Sequence, residues 1–206
     1  KYKSLLAGSK YSFLLNLSDK IFSFIVMLLV ARNFSTEIYG QIVTLITLSI
    51  VLISVFDLGL PIYIQREIAV NRFSASEIYS RVFLLGSLLM ILYFALGSAA
   101  VFVIYPDIPY SLFIIISLMM YSSFLVTVNN KALSGINEYK KQFLSFLLPR
   151  ILILAVILPG LYLYSMSAGN LLLVMFAGIA INLVISVIYL RKNEIRLSFK
   201  YFSLKG

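Results

Sequence analysis

The chain has 206 residues, 61% hydrophobic and 12% charged, with a mean hydropathy of +1.00 and a net charge of +9. Soluble domains carry about twice that charged fraction, so a soluble core this apolar would lack the polar surface to cover itself, and the chain reads as an all-α integral membrane protein. Cysteine and histidine are absent, which excludes disulfides, thiol chemistry, Cys/His metal sites and histidine acid–base catalysis; the positive charge reads as topology-setting lysines and arginines, not a nucleic-acid surface.

A helix needs about 20 residues to cross the hydrocarbon core. Six segments qualify: 11–34, 37–70, 77–105, 109–131, 139–163 and 171–190. Residues 1–190 therefore read as one six-helix transmembrane unit and 191–206 as a basic cytosolic connector. The first segment has the basic start and apolar centre of a signal peptide. Asp19 and Lys20 interrupt it, however, and no small-x-small cleavage site follows. The chain begins at Lys1 and stops without a clear finish, so it reads as part of a longer protein.

The second segment is too long for one crossing. Within it, Pro61 has no N–H, and a continuous helix would leave the Asp57 carbonyl without its partner. A carboxylate, a freed carbonyl and Gly59 are thus expected at one kink near a membrane surface. Such kinks survive in lipid where neighbouring helices or water satisfy the backbone. Beyond the kink the helix should continue as an amphipathic cytosolic extension. Ser74-x-x-Glu77 reads as a capping box opening the third span. Turns are expected at Pro106–Pro109 and Gly135–Asn137, with Pro159-Gly160 and Ala168–Asn170 bracketing the last link. No connection is long enough to form a domain.

Fourteen of the 17 lysines and arginines fall on one side of this six-span arrangement. They include Lys1, Lys3 and Lys10 before the first span, and Arg191, Lys192, Arg196, Lys200 and Lys205 after the last. Arg32 alone falls on the other side. The positive-inside rule then makes both ends cytosolic.

Charges inside spans cost a few kcal/mol at least and normally face a partner or a wet cavity. In the first span Asn16, Lys20, Ser23 and Met27 follow the spacing of one helix face. Either this polar stripe lines a cavity, or Asp19 and Lys20 are bonded to neighbouring helices as packing. Arg150 lies ~16 Å into the fifth span at 1.5 Å per residue, close to the midplane. It reads as a fixed positive charge for an anionic ligand, because its planar fork matches phosphate; the alternative is a buried partner for Asp19 or Asp57. Asn129 and Asn130, beside Thr127 and Lys131, are either substrate contacts or a solvated helix end. Asp57 is either a helix-end bond or a site residue, and Asp19 and Asp57 are the candidate cation or proton sites. Tyrosines read as interface anchors, and the Gly and Ala patches at 86–87, 97–100 and 177–180 as close helix approaches.

Ala31-Arg32-Asn33-Phe34-Ser-Thr-Glu37-Ile38-Tyr39-Gly40, then Asp57-Leu58-Gly59-Leu60 running to Arg66-Glu67, then Lys131-Ala-Leu-x-Gly135, carry a resemblance. The chain resembles the polysaccharide-biosynthesis flippases of the multidrug/oligosaccharidyl-lipid/polysaccharide exporter superfamily. The resemblance runs along the whole chain in helix order and departs at Asn33-Phe34, where members often have Leu-Gly. It implies 12 to 14 spans in two six-helix lobes around a cationic cavity, this chain being the first lobe in a cell membrane. It implies a lipid-linked oligosaccharide (polyprenyl pyrophosphate) as substrate, flipped to the outer leaflet by alternating access. Membrane lipids, and glycosyltransferases or a polymerase, are the partners this implies. Substrate contacts then fall to Lys20 and Arg150, with Asn16, Asn129 and Asn130.

No phosphate-binding Gly-x-x-x-x-Gly-Lys-Ser/Thr loop is present, so no nucleotide cofactor is expected and the energy must come from ion coupling, membrane potential or flux. Three other functions remain open. A multidrug cation antiporter would prefer acidic cavity residues. A glycan polymerase or ligase would place reactive groups in sizeable outer loops, whereas here those loops hold only Arg32, Glu37 and Asp107. An assembly subunit has only the short chain length in its favour. The expectation is a transporter and not an enzyme.

Overall fold

The computed structural model describes residues 2–198, with side chains from residue 8 onward. Lys1, the Lys3 side chain, Lys200, Lys205 and the connector beyond residue 198 lie outside the described residues. Seven helices follow one another: α1 Tyr2–Asn33, α2 Thr36–Phe56, α3 Leu60–Val70, α4 Ala75–Ile104, α5 Tyr110–Gly135, α6 Tyr139–Leu163 and α7 Ala168–Lys192. A single 3-10 turn, Arg72–Ser74, precedes α4, and the described residues include no strand. Among the described residues, six helical stretches are long and apolar enough to cross a membrane: Gly8–Asn33, Thr36–Phe56, Arg72–Ile104, Tyr110–Gly135, Tyr139–Leu163 and Ala168–Lys192. Phe24, Ile91, Phe102 and Ile151 project fully from the outer faces. In water such a surface would aggregate; in a bilayer it is the solvated one.

The expected kink between the second and third segments is a break. Leu58 and Gly59 both adopt positive φ, 46° and 72°. That breaks the helix, and α3 starts as a new one. Pro61 sits in its first turn, where a missing N–H costs nothing because it has no intrahelical partner anyway. The Asp57 carbonyl is therefore not freed: it accepts from the Leu60 N–H at 2.7 Å. α3 buries Leu60, Ile64 and Ile68, one face at helical spacing, against α4 and α5. Its closest approach is at Gly135, where a Cβ would stand 2.9 Å from the Gln65 carbonyl.

Two other local readings are corrected. Ser74 makes no side-chain capping bond, because the 3-10 turn occupies the position the capping box required. Pro159 and Gly160 lie inside α6, which runs on to Leu163. The turns at Pro106–Pro109 and at Asn137, where φ is 65°, fall as expected.

α5 is the hub, packing against α2, α3, α4, α6 and α7, whereas α1 leans mainly on α6. Two apolar cores result. One joins Val30, Leu45, Ile116, Ile157 and Leu171. The other joins Ile64, Tyr79, Leu133, Leu190 and Ile195, at the end carrying the N-termini of α1, α4 and α6. Beyond α7 the chain is strapped to that end. The Ser76 hydroxyl donates to the Glu194 carbonyl at 3.0 Å and accepts from the Arg196 N–H at 3.1 Å, and the Ser80 hydroxyl accepts from the Ser198 N–H at 3.0 Å.

Candidate functional site

A cavity of about 800 Å³ opens between α1, α2, α5, α6 and α7, with Gln65 of α3 at its edge. Because consecutive spans alternate in direction, its lining divides by depth. Asn16, Asp19, Asn130, Lys131, Gln142 and Arg150 come from the end where α1 and α6 begin and α5 finishes. Val30, Ile42, Ile46, Met120, Leu171 and Met175 come from the opposite end. One half is polar, the other apolar. The polar half lies at the end bearing Lys10, Arg66, Arg81, Lys140 and Arg191.

Arg150 projects into the polar half from the middle of α6. Its Nη2 meets Asp19 Oδ1 at 2.8 Å. The guanidinium carbon stands 3.6 Å from the Phe146 ring centroid and 4.5 Å from that of Phe22. A carboxylate and two aromatic rings thus offset the loss of water around the charge. Nη1 is buried and has no hydrogen-bond partner. The held guanidinium thus has one covered donor edge that no described group accepts from. Among the described residues, Asp19, Lys131 and Arg150 are the only charged ones lining this cavity, and the one carboxylate is already bonded.

Of the stripe expected on α1, Asn16, Ser23 and Met27 line the cavity and Lys20 does not. Asn16, Asp19 and Ser23 line the cavity at i, i+3, i+7 spacing, whereas Lys20 is exposed, outside it, and in no ion pair among the described residues. Consecutive helical residues point ~100° apart; Asp19 is the one that meets Arg150 on α6, and Lys20 lies outside the lining. The two asparagines of α5 part in the same way. Asn130 lines the cavity and accepts from the Ser145 hydroxyl at 3.3 Å. Asn129 turns into the helix packing: Tyr79 donates to its Oδ1 at 2.8 Å and its Nδ2 donates to Ser186 at 2.9 Å.

Asp57 is a helix-end residue. Its Oδ1 accepts from the Gly59 N–H at 2.9 Å. It borders a hollow of about 20 Å³ between α2, α4 and α5, room for about one water. It does not line the main cavity. Lys131 and Asn182 are among the lining residues that were not singled out as contacts from the sequence. Lys131 reads as one more orientation-setting cation. Asn182 does carry a signal: an amide in the middle of the apolar run from Leu171 to Leu190.

A family model described as polysaccharide biosynthesis protein matches residues 5–206. The chain belongs to that family. As a polysaccharide biosynthesis protein it has a role in surface polysaccharide synthesis or export, carried by a multi-pass helical membrane structure. No curated protein and no solved structure matches the chain.

Proposed function

We propose that this polysaccharide biosynthesis protein flips a polyprenyl-pyrophosphate-linked oligosaccharide from the cytosolic to the outer leaflet of the cell membrane, by alternating access and without covalent chemistry. The observation that carries the reading is Arg150: a mid-span guanidinium in a wide, half-polar cavity, held by Asp19, Phe22 and Phe146, with one N–H edge unpartnered. A carrier of this kind must hide many hydroxyls and a double negative charge from hydrocarbon. The polar half serves that need, and an arginine fork suits phosphate oxygens. The cation-rich end supports a cytosolic side for the polar half. A second lobe completes the cavity, as in other two-lobe transporters.

An incoming phosphate competes with Asp19 for the guanidinium. Asp19 is then left as a carboxylate in an open cavity, able to take a cation or proton, and is the better coupling candidate than the hydrogen-bonded Asp57. A cation-exporting function fits less well, since the only carboxylate lining the cavity among the described residues is spent on Arg150. The test is Arg150→Ala in the full-length protein, in cells whose surface polysaccharide depends on it. Export falls about a hundredfold or more, as for loss of hydrogen bonds to a charged ligand, while membrane insertion is retained. Wild-type surface polysaccharide in that mutant contradicts the reading.

A further inference from the structure

Half of the cavity has the wrong lining for a glycan. Val30, Ile42, Ile46, Met120, Leu171 and Met175 border the half away from the cation-rich end, and all belong to or pack on one apolar cluster. None of their side chains donates a hydrogen bond, and only the methionine sulfurs accept one, weakly. A sugar hydroxyl set against them would lose its water without gaining a partner, which is costly. This half suits an apolar group. Four of the chain's six methionines line the cavity, Met27 from α1, Met119 and Met120 from α5, and Met175 from α7. Thioether side chains are flexible and polarizable, and they adapt to an irregular, branched hydrocarbon.

The change of lining coincides with the charge. Arg150 and Ile153 both line the cavity from α6, three residues and ~4.5 Å apart along its axis. An anion drawn to this level stands where polar wall gives way to apolar wall. A diphosphate that joins a sugar to a lipid has two unlike ends at that point. The order also matches a lipid standing in the cytosolic leaflet, its charged head toward the cation-rich end and its chain toward the midplane. We infer that the apolar half is a subsite for the first isoprene units of the lipid carrier, with Met120 and Met175 against them, while the rest of the chain stays in the bilayer. This rests on the flippase reading and adds the lipid to it.

The chain contains no cysteine, so single cysteines in a full-length background free of other cysteines report on the two halves separately. Ser23→Cys lies one turn beyond Asp19, and Met175→Cys lies in the apolar half. Each variant, in nanodiscs, is labelled with the small thiol reagent methyl methanethiosulfonate in the presence of inorganic diphosphate, geranyl diphosphate or geraniol. Inorganic diphosphate at ten times its dissociation constant slows labelling of Ser23→Cys about tenfold, by mass action, and leaves Met175→Cys unchanged. Geranyl diphosphate slows both. Geraniol, which has no anion to anchor it, slows neither. In the unsubstituted protein geranyl diphosphate binds at least about tenfold tighter than inorganic diphosphate, a small part of what its buried carbons supply before the costs of ordering.

Geranyl diphosphate that protects Ser23→Cys but not Met175→Cys overturns the subsite and leaves the flippase reading standing. Protection of neither cysteine by either diphosphate removes both. Protection of Met175→Cys by inorganic diphosphate as well means closure of the cavity and not occupancy, and protection by geraniol means a void open to any hydrocarbon; each overturns the subsite. So does a Met175→Cys that folds and never labels, since the rest of the protein then fills this half. If Met175→Cys does not fold, Met120→Cys takes its place. The unsubstituted protein decides independently of both, and equal binding of inorganic and geranyl diphosphate counts against the subsite.

Discussion

Two polar clusters share α5 and α7 and have opposite fates. Tyr79, Asn129 and Ser186 close on each other, with the Asn129 amide both accepting and donating and its neighbours buried. Arg150, Asn182 and Asn130 border open space, and the first two keep unpartnered atoms. A satisfied network in an apolar bundle fixes helix positions and is spent in doing so. An unsatisfied one retains its hydrogen-bonding capacity at a cost to the fold and can spend it on a ligand. Polarity inside a span therefore does not itself mark a site; unused valence beside a void does.

That contrast can be broken from either side. The largest effect expected is the loss of export in Arg150→Ala, with the fold retained. Asn129→Leu should do the reverse. It orphans the Tyr79 hydroxyl and removes the donor to Ser186, whose own bond to the Leu183 carbonyl stays; it costs about 1–3 kcal/mol of stability and lowers the thermal midpoint of the protein in detergent. Export per folded molecule stays near wild type. An export defect in Asn129→Leu with an unchanged midpoint would erase the distinction between the two clusters.

The smallest effect concerns the lysines. Lys131 lines the cavity and Lys20 does not, so Lys131→Ala should weaken export several-fold. Lys20→Ala should change it by less than Lys131→Ala does. The opposite ranking, measured as surface polysaccharide at matched expression, would move the charged site to the outer face of α1.

Most of the fold was legible because hydropathy and punctuation act locally. Six apolar stretches of sufficient length, with turns at Pro106–Pro109 and Asn137, need only composition and backbone rules. The break at Leu58 and Gly59 was half visible: Pro61 marks it, but whether proline kinks a helix or opens a new one depends on the positive φ before it. That Arg150 would meet a partner or a cavity was legible because a mid-span arginine must have a reason; it has both. The facing of Asp19 against Lys20, and of Asn130 against Asn129, was not. Each pair differs by one residue, and the choice is made by Arg150 and Tyr79 on other helices, which helical spacing alone does not reveal. Asn182 stood out in its apolar run, yet its unpaired oxygen becomes visible only once α6 and α7 are set side by side.

The central claim is that a water-filled cavity beside Arg150 takes an anionic lipid head. The described chain contains no cysteine, so a single Ser23→Cys, on the cavity face of α1, reports on it through a membrane-impermeant thiol reagent. The account predicts that the reagent labels this cysteine, that farnesyl diphosphate protects it, and that protection disappears when Arg150→Ala is added. A Ser23→Cys that never labels, or protection that is equal with and without Arg150, would contradict it.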